Sequence, residues 1–160
     1  MENLYLTYRE GFPEDLSSPC IELKNGSIIT YKDLEDHSSQ YANGFSNLGL
    51  KPGDRVSVQV NKSTEVLYIY LACLRANLIF HPLNTAYKDN ELSFLLEDAN
   101  PSLFICEKKV YEKIDTLNLK HPPNHIFTLQ IQDKDSIQAI KLAGIHEVVD
   151  CLEEDTAALL

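Results

Sequence analysis

The sequence predicts an α/β fold, a partial doubly wound, mostly parallel sheet with helices on both faces. Three observations carry this. From residue 55 onward, short β-branched or aromatic runs alternate with longer amphipathic ones in the order strand, helix, strand, helix, strand, helix, strand; such alternation needs right-handed crossovers that cover a parallel sheet on both sides. The junctions carry the turn formers Pro, Gly and Asn. An apolar fraction of 44% with 24% charged residues over 160 positions suits one hydrophobic core and is unlike a disordered chain.

The first clear element starts at Thr30. Thr30-Tyr-Lys-Asp33 sets a hydroxyl three positions before an acid, the pattern of a capping box, and predicts a helix over Tyr31–Leu48 with Leu34, Tyr41, Phe45 and Leu48 on one face. Gly49 supplies its left-handed stop. Lys51-Pro52-Gly53-Asp54 turns into an alternating strand, Arg55–Val60. Asn61 to Ser63 offer caps for Glu65–Arg75, apolar almost all round and therefore a helix packed on more than one side. Leu78–Phe80 is a short buried strand ending near Pro82, and Asp89/Asn90 open a helix striped by Leu92, Leu95, Leu96 and Ala99 that Asn100-Pro101 closes. A strand Leu103–Cys106, a helix Lys108–Leu117 and a strand His125–Leu129 come next. Beyond a polar patch at Gln130–Ser136, a helix around Ile137–Leu142 and a short strand Glu147–Val149 are expected. Thr156–Leu160 reads as the opening of a buried strand, which predicts an incomplete chain. No internal repeat is present.

Composition excludes several function classes. With 24 acidic against 14 basic residues the formal charge is −10, the wrong sign for nucleic acid or an anionic membrane. The start MENLYLTYRE lacks a basic and an apolar leader region, and the four cysteines form no C-x-x-C, so a reduced, cytoplasmic protein is expected. The longest apolar run, Val66–Leu74, is too short to span a bilayer. Six glycines make no G-x-G-x-x-G, and Gly44 to Gly49 lacks the Lys and Ser/Thr of a phosphate loop.

Of His37, His81, His121, His125 and His146, only His121 and His125 are close in sequence, and two prolines between them work against one metal. Cys73 and Cys106 sit in apolar segments where packing explains them. The acidic pairs Glu14-Asp15 and Glu97-Asp98 and the run Glu153–Asp155 read as solvated faces, and no aspartate ends the strands at Val60 or Cys106 as a phospho-acceptor would. Phe80–Tyr87 stands out: it comes after a buried strand and places Asn84 and Thr85 at the strand's C-terminal end, where open α/β sheets bind ligands. The alternative is that Pro82 only ends the strand and Asn84 or Thr85 caps the next element.

Three blocks carry a family resemblance: Thr30-Tyr-x-x-Leu34; Gly49-Leu-Lys-Pro-Gly-Asp-Arg-Val56; and Pro82-Leu-Asn84. In order and spacing over Ile29–Cys106 they resemble the N-terminal region of the adenylate-forming acyl-CoA synthetases. Pro82-Leu-Asn-Thr-Ala-Tyr87 with Asn90-Glu-Leu92 after it looks most like the malonyl-CoA synthetases within that family. Asn77 stands where the family usually has glycine, and His81 where it usually has an apolar residue.

The resemblance implies that residues 1–160 are the N-terminal part of an AMP-binding domain, without the phosphate-binding loop that comes next in the family and without the C-terminal domain. It implies ATP, Mg and CoA as cofactors and co-substrates of a full-length parent, with none bound by this chain alone, and a malonate-like small carboxylate as substrate. In the parent, the carboxylate becomes an acyl-adenylate and the CoA thiol then displaces AMP. No catalytic or metal-binding residue of the family falls in this chain. Asn84, Thr85 and Ala86 correspond to a loop on the CoA side of the site. The expectation is an inactive isolated chain that self-associates through its apolar end; the alternative is a non-catalytic, flavodoxin-like binding module built on the same scaffold.

Overall fold

In a computed structural model, residues 3–130 and 134–160 are described; positions 131–133, in the middle of the polar patch, lie outside the described residues. The chain becomes ordered earlier than its patterning predicts. Helix α1 (Leu4–Glu10) is capped by Asn3, whose side-chain oxygen accepts from the Tyr5 N–H at 2.8 Å. An antiparallel hairpin comes next, β1 (Pro19–Glu22) with β2 (Ile28–Thr30). Neither carries a strong apolar period, because α1 buries only Tyr5 and the hairpin is half-exposed.

Helix α2 (Tyr31–Asn47) begins on the expected capping box. The Thr30 hydroxyl accepts from the Asp33 N–H at 3.1 Å, and the Asp33 carboxylate accepts from the Thr30 N–H at 2.7 Å. Its end is a Schellman motif: Gly49, at φ +87°, donates to Ser46 O, and Leu50 donates to Phe45 O. Then come β3 (Arg55–Gln59), α3 (Thr64–Arg75), β4 (Ile79–Pro82), α4 (Asp89–Ala99), β5 (Leu103–Cys106), α5 (Lys108–Tyr111) and β6 (His125–Thr128).

Three expectations are corrected. Lys108–Leu117 is not one helix but α5 and a separate 3₁₀ turn, Ile114–Leu117. Ile137–Leu142 is a 3₁₀ turn at Ile137–Ile140, and Glu147–Val149 is not a strand, its backbone being held by a bond from Val149 N–H to Arg75 O at 2.8 Å. Short apolar runs signal burial without choosing a conformation, and here packing onto α2 and α3 chose irregular chain. The segment at Thr156–Leu160 meets the free edge of β4 by one parallel bridge, Phe80 to Ala158, with Ala157 to Leu159 half-buried and Thr156 and Leu160 exposed rather than buried.

The sheet has the order β4-β3-β5-β6, all parallel. Alternation assigns each face. Val56, Val58, Phe80, Leu103 and Ile105 pack with α2 and α3 in one core, while Phe104 and Cys106 pack with Leu92 and Leu96 of α4 and with Val110 in a second. Helices thus cover both faces, as the alternation predicts. On the α4 face β3 presents Ser57 and Gln59 and β4 presents His81, all buried polar groups. Strand β3 is flanked by β4, its successor in the chain, and by β5, which returns on its other side. The winding therefore reverses between β3 and β5, and a crevice opens at their C-terminal ends.

Candidate functional site

At that C-terminal edge lies a cleft of about 640 Å³ walled by Thr85 and Tyr87 to Asn90 on one side and by Lys109, Val110 and Lys113 on the other, with Gln59 and Leu92 among its lining residues. Each wall has a local cause. Leu83 N–H donates to Val58 O at 2.8 Å, which carries the β4–β3 pairing one residue past Pro82 before the chain turns away. Asn84 then forms an Asx turn, its side-chain oxygen accepting from Ala86 N–H at 2.9 Å, and its carbonyl accepts from Tyr87 N–H at 3.2 Å. The Gln59 amide, from the end of β3, donates to the same Asn84 carbonyl at 2.9 Å. Helix α4 starts here with Lys88 N–H donating to the Glu91 carboxylate at 2.8 Å, and its positive end faces the cleft from one side.

The charge of the cleft is opposite to that of the chain. Lys88, Lys109 and Lys113 line it against a single aspartate, Asp89, which pairs with Lys113. Lys109, on α5, and Lys113, in the turn just after it, line the same opening. Beside the cleft, Glu107 accepts from the Asn61 N–H at 2.7 Å and its own N–H donates to Gln59 O at 3.2 Å, tying the loops after β3 and β5 together across the crevice. A rim of this charge favours an anion. Among the described residues no three His, Cys, Asp or Glu come together as metal ligands.

Of the three loop residues singled out, only Thr85 lines the cleft; Asn84 and Ala86 are exposed and act through the turn that sets Thr85. Gln59 and the three lysines were not legible as a site. A polar residue closing a buried strand, and two lysines at helical spacing just past another, are the signals that could have found them.

The other candidates resolve into structure. His81, where the family resemblance expects an apolar residue, bonds through Nδ1 to the Ser57 hydroxyl at 2.8 Å in the adjacent strand, and both side chains are buried under α4. Burial, reinforced by the Arg55 charge, holds its pKa below the ordinary histidine value. His125 donates from Nε2 to Leu48 O at 3.1 Å. Cys106 is pushed up to about 12 by burial and by Glu107, and Cys73 is raised further by burial alone, opposite to what a nucleophile needs. Asn77 adopts φ +52° and ends α3 in a second Schellman motif, with Leu78 N–H donating to Cys73 O at 2.8 Å. That explains why glycine is usual there and why asparagine serves.

A profile of the AMP-binding enzyme family matches residues 13–160. The fold superposes on apo MatB from Rhodopseudomonas palustris with a TM-score of 0.86 and 31% identity, covering 99% of this chain and 32% of that one. The mitochondrial acyl-coenzyme A synthetase ACSM2B of Homo sapiens is 30% identical over 112 residues, 67% of this chain and 19% of that protein. The oxalate–CoA ligase of Arabidopsis thaliana is 29% identical over 127 residues, 79% of this chain and 24% of that protein. The chain therefore spans about a third of MatB and a quarter or less of those two curated relatives.

Proposed function

Since the chain belongs to the AMP-binding enzyme family, we propose that it supplies the N-terminal sheet and the coenzyme A side of an AMP-forming acid–CoA ligase whose substrate is a small malonate-like carboxylate. In that reaction ATP activates the carboxylate as an adenylate and the CoA thiol takes the acyl group. The contribution of this chain is positioning and charge. Lys88, Lys109 and Lys113 attract and orient the phosphate-bearing end of CoA, and Thr85, fixed by the Asn84 turn, shapes the passage along which its arm runs inward. Supporting the malonate reading are the Pro82–Tyr87 and Asn90–Leu92 blocks and the 31% identity to MatB over nearly the whole chain.

The observation that carries the reading is a cationic cleft at the winding-reversal edge of a chain whose formal charge is −10. Two measurements test it. Against the sequence-based expectation that this chain alone binds no cofactor, calorimetric titration with CoA is expected to show salt-sensitive binding that K109A/K113A weakens at least tenfold, two charge-assisted contacts being worth that much; equal affinity of variant and wild type would refute the site. Malonate-dependent ATP–pyrophosphate exchange is expected to be absent from the 160-residue chain. Detecting it would overturn the view that this chain is scaffold for chemistry performed by other residues.

A further inference from the structure

Gln59 closes β3 with its side chain 2% exposed and lines the cleft. Its orientation is settled by its partner: the Asn84 carbonyl can only accept, so the group 2.9 Å from it is the Gln59 NH₂. The other end of the amide, Oε1, is buried with no donor. Buried amide oxygens are nearly always paired, and one left unpaired is costly to keep away from water. Strand β3 offers no relief, because the neighbour in register on β5 is Cys106, whose thiol makes no bond to it. Gln59 lines the cleft, so a ligand seated there can supply the donor that the surrounding residues do not.

We propose that Gln59 is a positioning residue for the neutral arm of the cleft's ligand, its Oε1 accepting from a ligand amide N–H or hydroxyl. This rests on the coenzyme A reading above. The same side chain holds the Asn84 carbonyl, so the two ends of one amide have separate tasks: Nε2 supports the turn that carries Thr85, and Oε1 receives the arm. The lysine rim provides attraction without distinguishing one phosphate compound from another; Gln59 adds a requirement for a hydrogen-bond donor a fixed distance inward from it.

The test separates the two ends of the ligand by using pantetheine for the neutral arm and adenosine 3′,5′-bisphosphate for the anionic end. In ¹⁵N-labelled wild-type chain, pantetheine is expected to shift the Gln59 side-chain NH₂ resonances, and Q59M is expected to weaken pantetheine roughly fivefold to tenfold, one neutral hydrogen bond. Q59M should leave the bisphosphate affinity within twofold. K109A/K113A should do the reverse. If the bisphosphate binds and pantetheine leaves the Gln59 resonances unmoved, the role of Gln59 is refuted while the coenzyme A reading stands. If neither compound binds, both fall. If Q59M weakens the two probes equally, Gln59 only supports the cleft's shape, and the inference fails. Thermal unfolding of Q59M reports separately on folding, and the wild-type resonance measurement decides the matter even if that variant is unstable.

Discussion

Arg75 ends α3 with its guanidinium buried, donating to the Tyr5 hydroxyl at 2.5 Å, to Glu35 at 3.0 Å and to the His146 carbonyl at 2.8 Å, and stacking over the Tyr5 ring at 4.5 Å. One side chain thus joins α1, α2, α3 and the irregular segment after residue 140. Burial raises the Glu35 pKa, but hydrogen bonds from Arg75 and Tyr5 outweigh it and hold the carboxyl below its usual value, while burial pushes Tyr5 up to about 12. R75M is expected to cost about 3 kcal/mol in urea unfolding, the lower end for a broken buried pair because Arg9 still meets Glu35 at 2.7 Å. A loss under 1 kcal/mol would show that the four parts do not depend on this contact. Gly44 makes the opposite kind of demand. A Cβ there would overlap the Ile140 carbonyl. In an ordinary helix interior Gly→Ala gains about 0.5–1 kcal/mol; G44A should instead lose about 1–3 kcal/mol from overpacking. A melting temperature above wild type would mean that α2 and the 3₁₀ turn at Ile137 are not in close contact.

The pairing of β3 with β4 places Ser57 opposite His81 beneath α4, and this burial sets the pH response of the sheet. Burial and Arg55 lower the His81 pKa, and burial and Arg75 lower that of His146. Both therefore bind a proton more readily in the unfolded chain, where histidine titrates near about 6.5. Their contribution is fully present above that pH and is lost as the pH falls through the lower folded values. Melting temperature should accordingly decline from pH 7 toward 5, and S57A/H81L should decline less steeply; identical slopes would exclude His81 as a cause. Asp33, lowered by the Thr30 N–H and hydroxyl, and Glu35 add a separate loss at more acidic pH, since they lose their bonds on protonation. The α2 cap has its own magnitude: T30A should cost about 1 kcal/mol.

At the scale of the whole molecule, the β4 edge of the parallel sheet is met only by the short final segment. Val66, Leu67, Tyr70, Phe80, Pro82, Ala158 and Leu160 line an apolar groove beside β4, where two backbone bonds hold the final segment. An apolar groove beside an open sheet edge favours pairing with a second copy. Light scattering should show mass rising with concentration, and a monodisperse monomer at all concentrations would refute this. No helix among the described residues is long and apolar enough to cross a membrane. The run from the α2 capping box to β5 was legible because each element there announces itself locally, Thr30 with Asp33, Gly49 after its helix, Leu92 and Leu96 at helical spacing. The first thirty residues and the stretch beyond β6 were not, since α1 and the segment at His146 are held by Asn3, Arg75 and Ser39 through bonds to residues about 70 to 150 positions away in sequence. By itself the sequence determined the alternation of strands and helices, the family and the loop at Asn84, because periodicity, caps and motifs are properties of neighbours along the chain. The strand order, the reversal between β3 and β5, and the gathering of Gln59, Thr85, Lys109 and Lys113 around one cleft were decided only in the tertiary structure. Which strands lie side by side depends on how helices bury both faces at once, and no local stretch of residues encodes that.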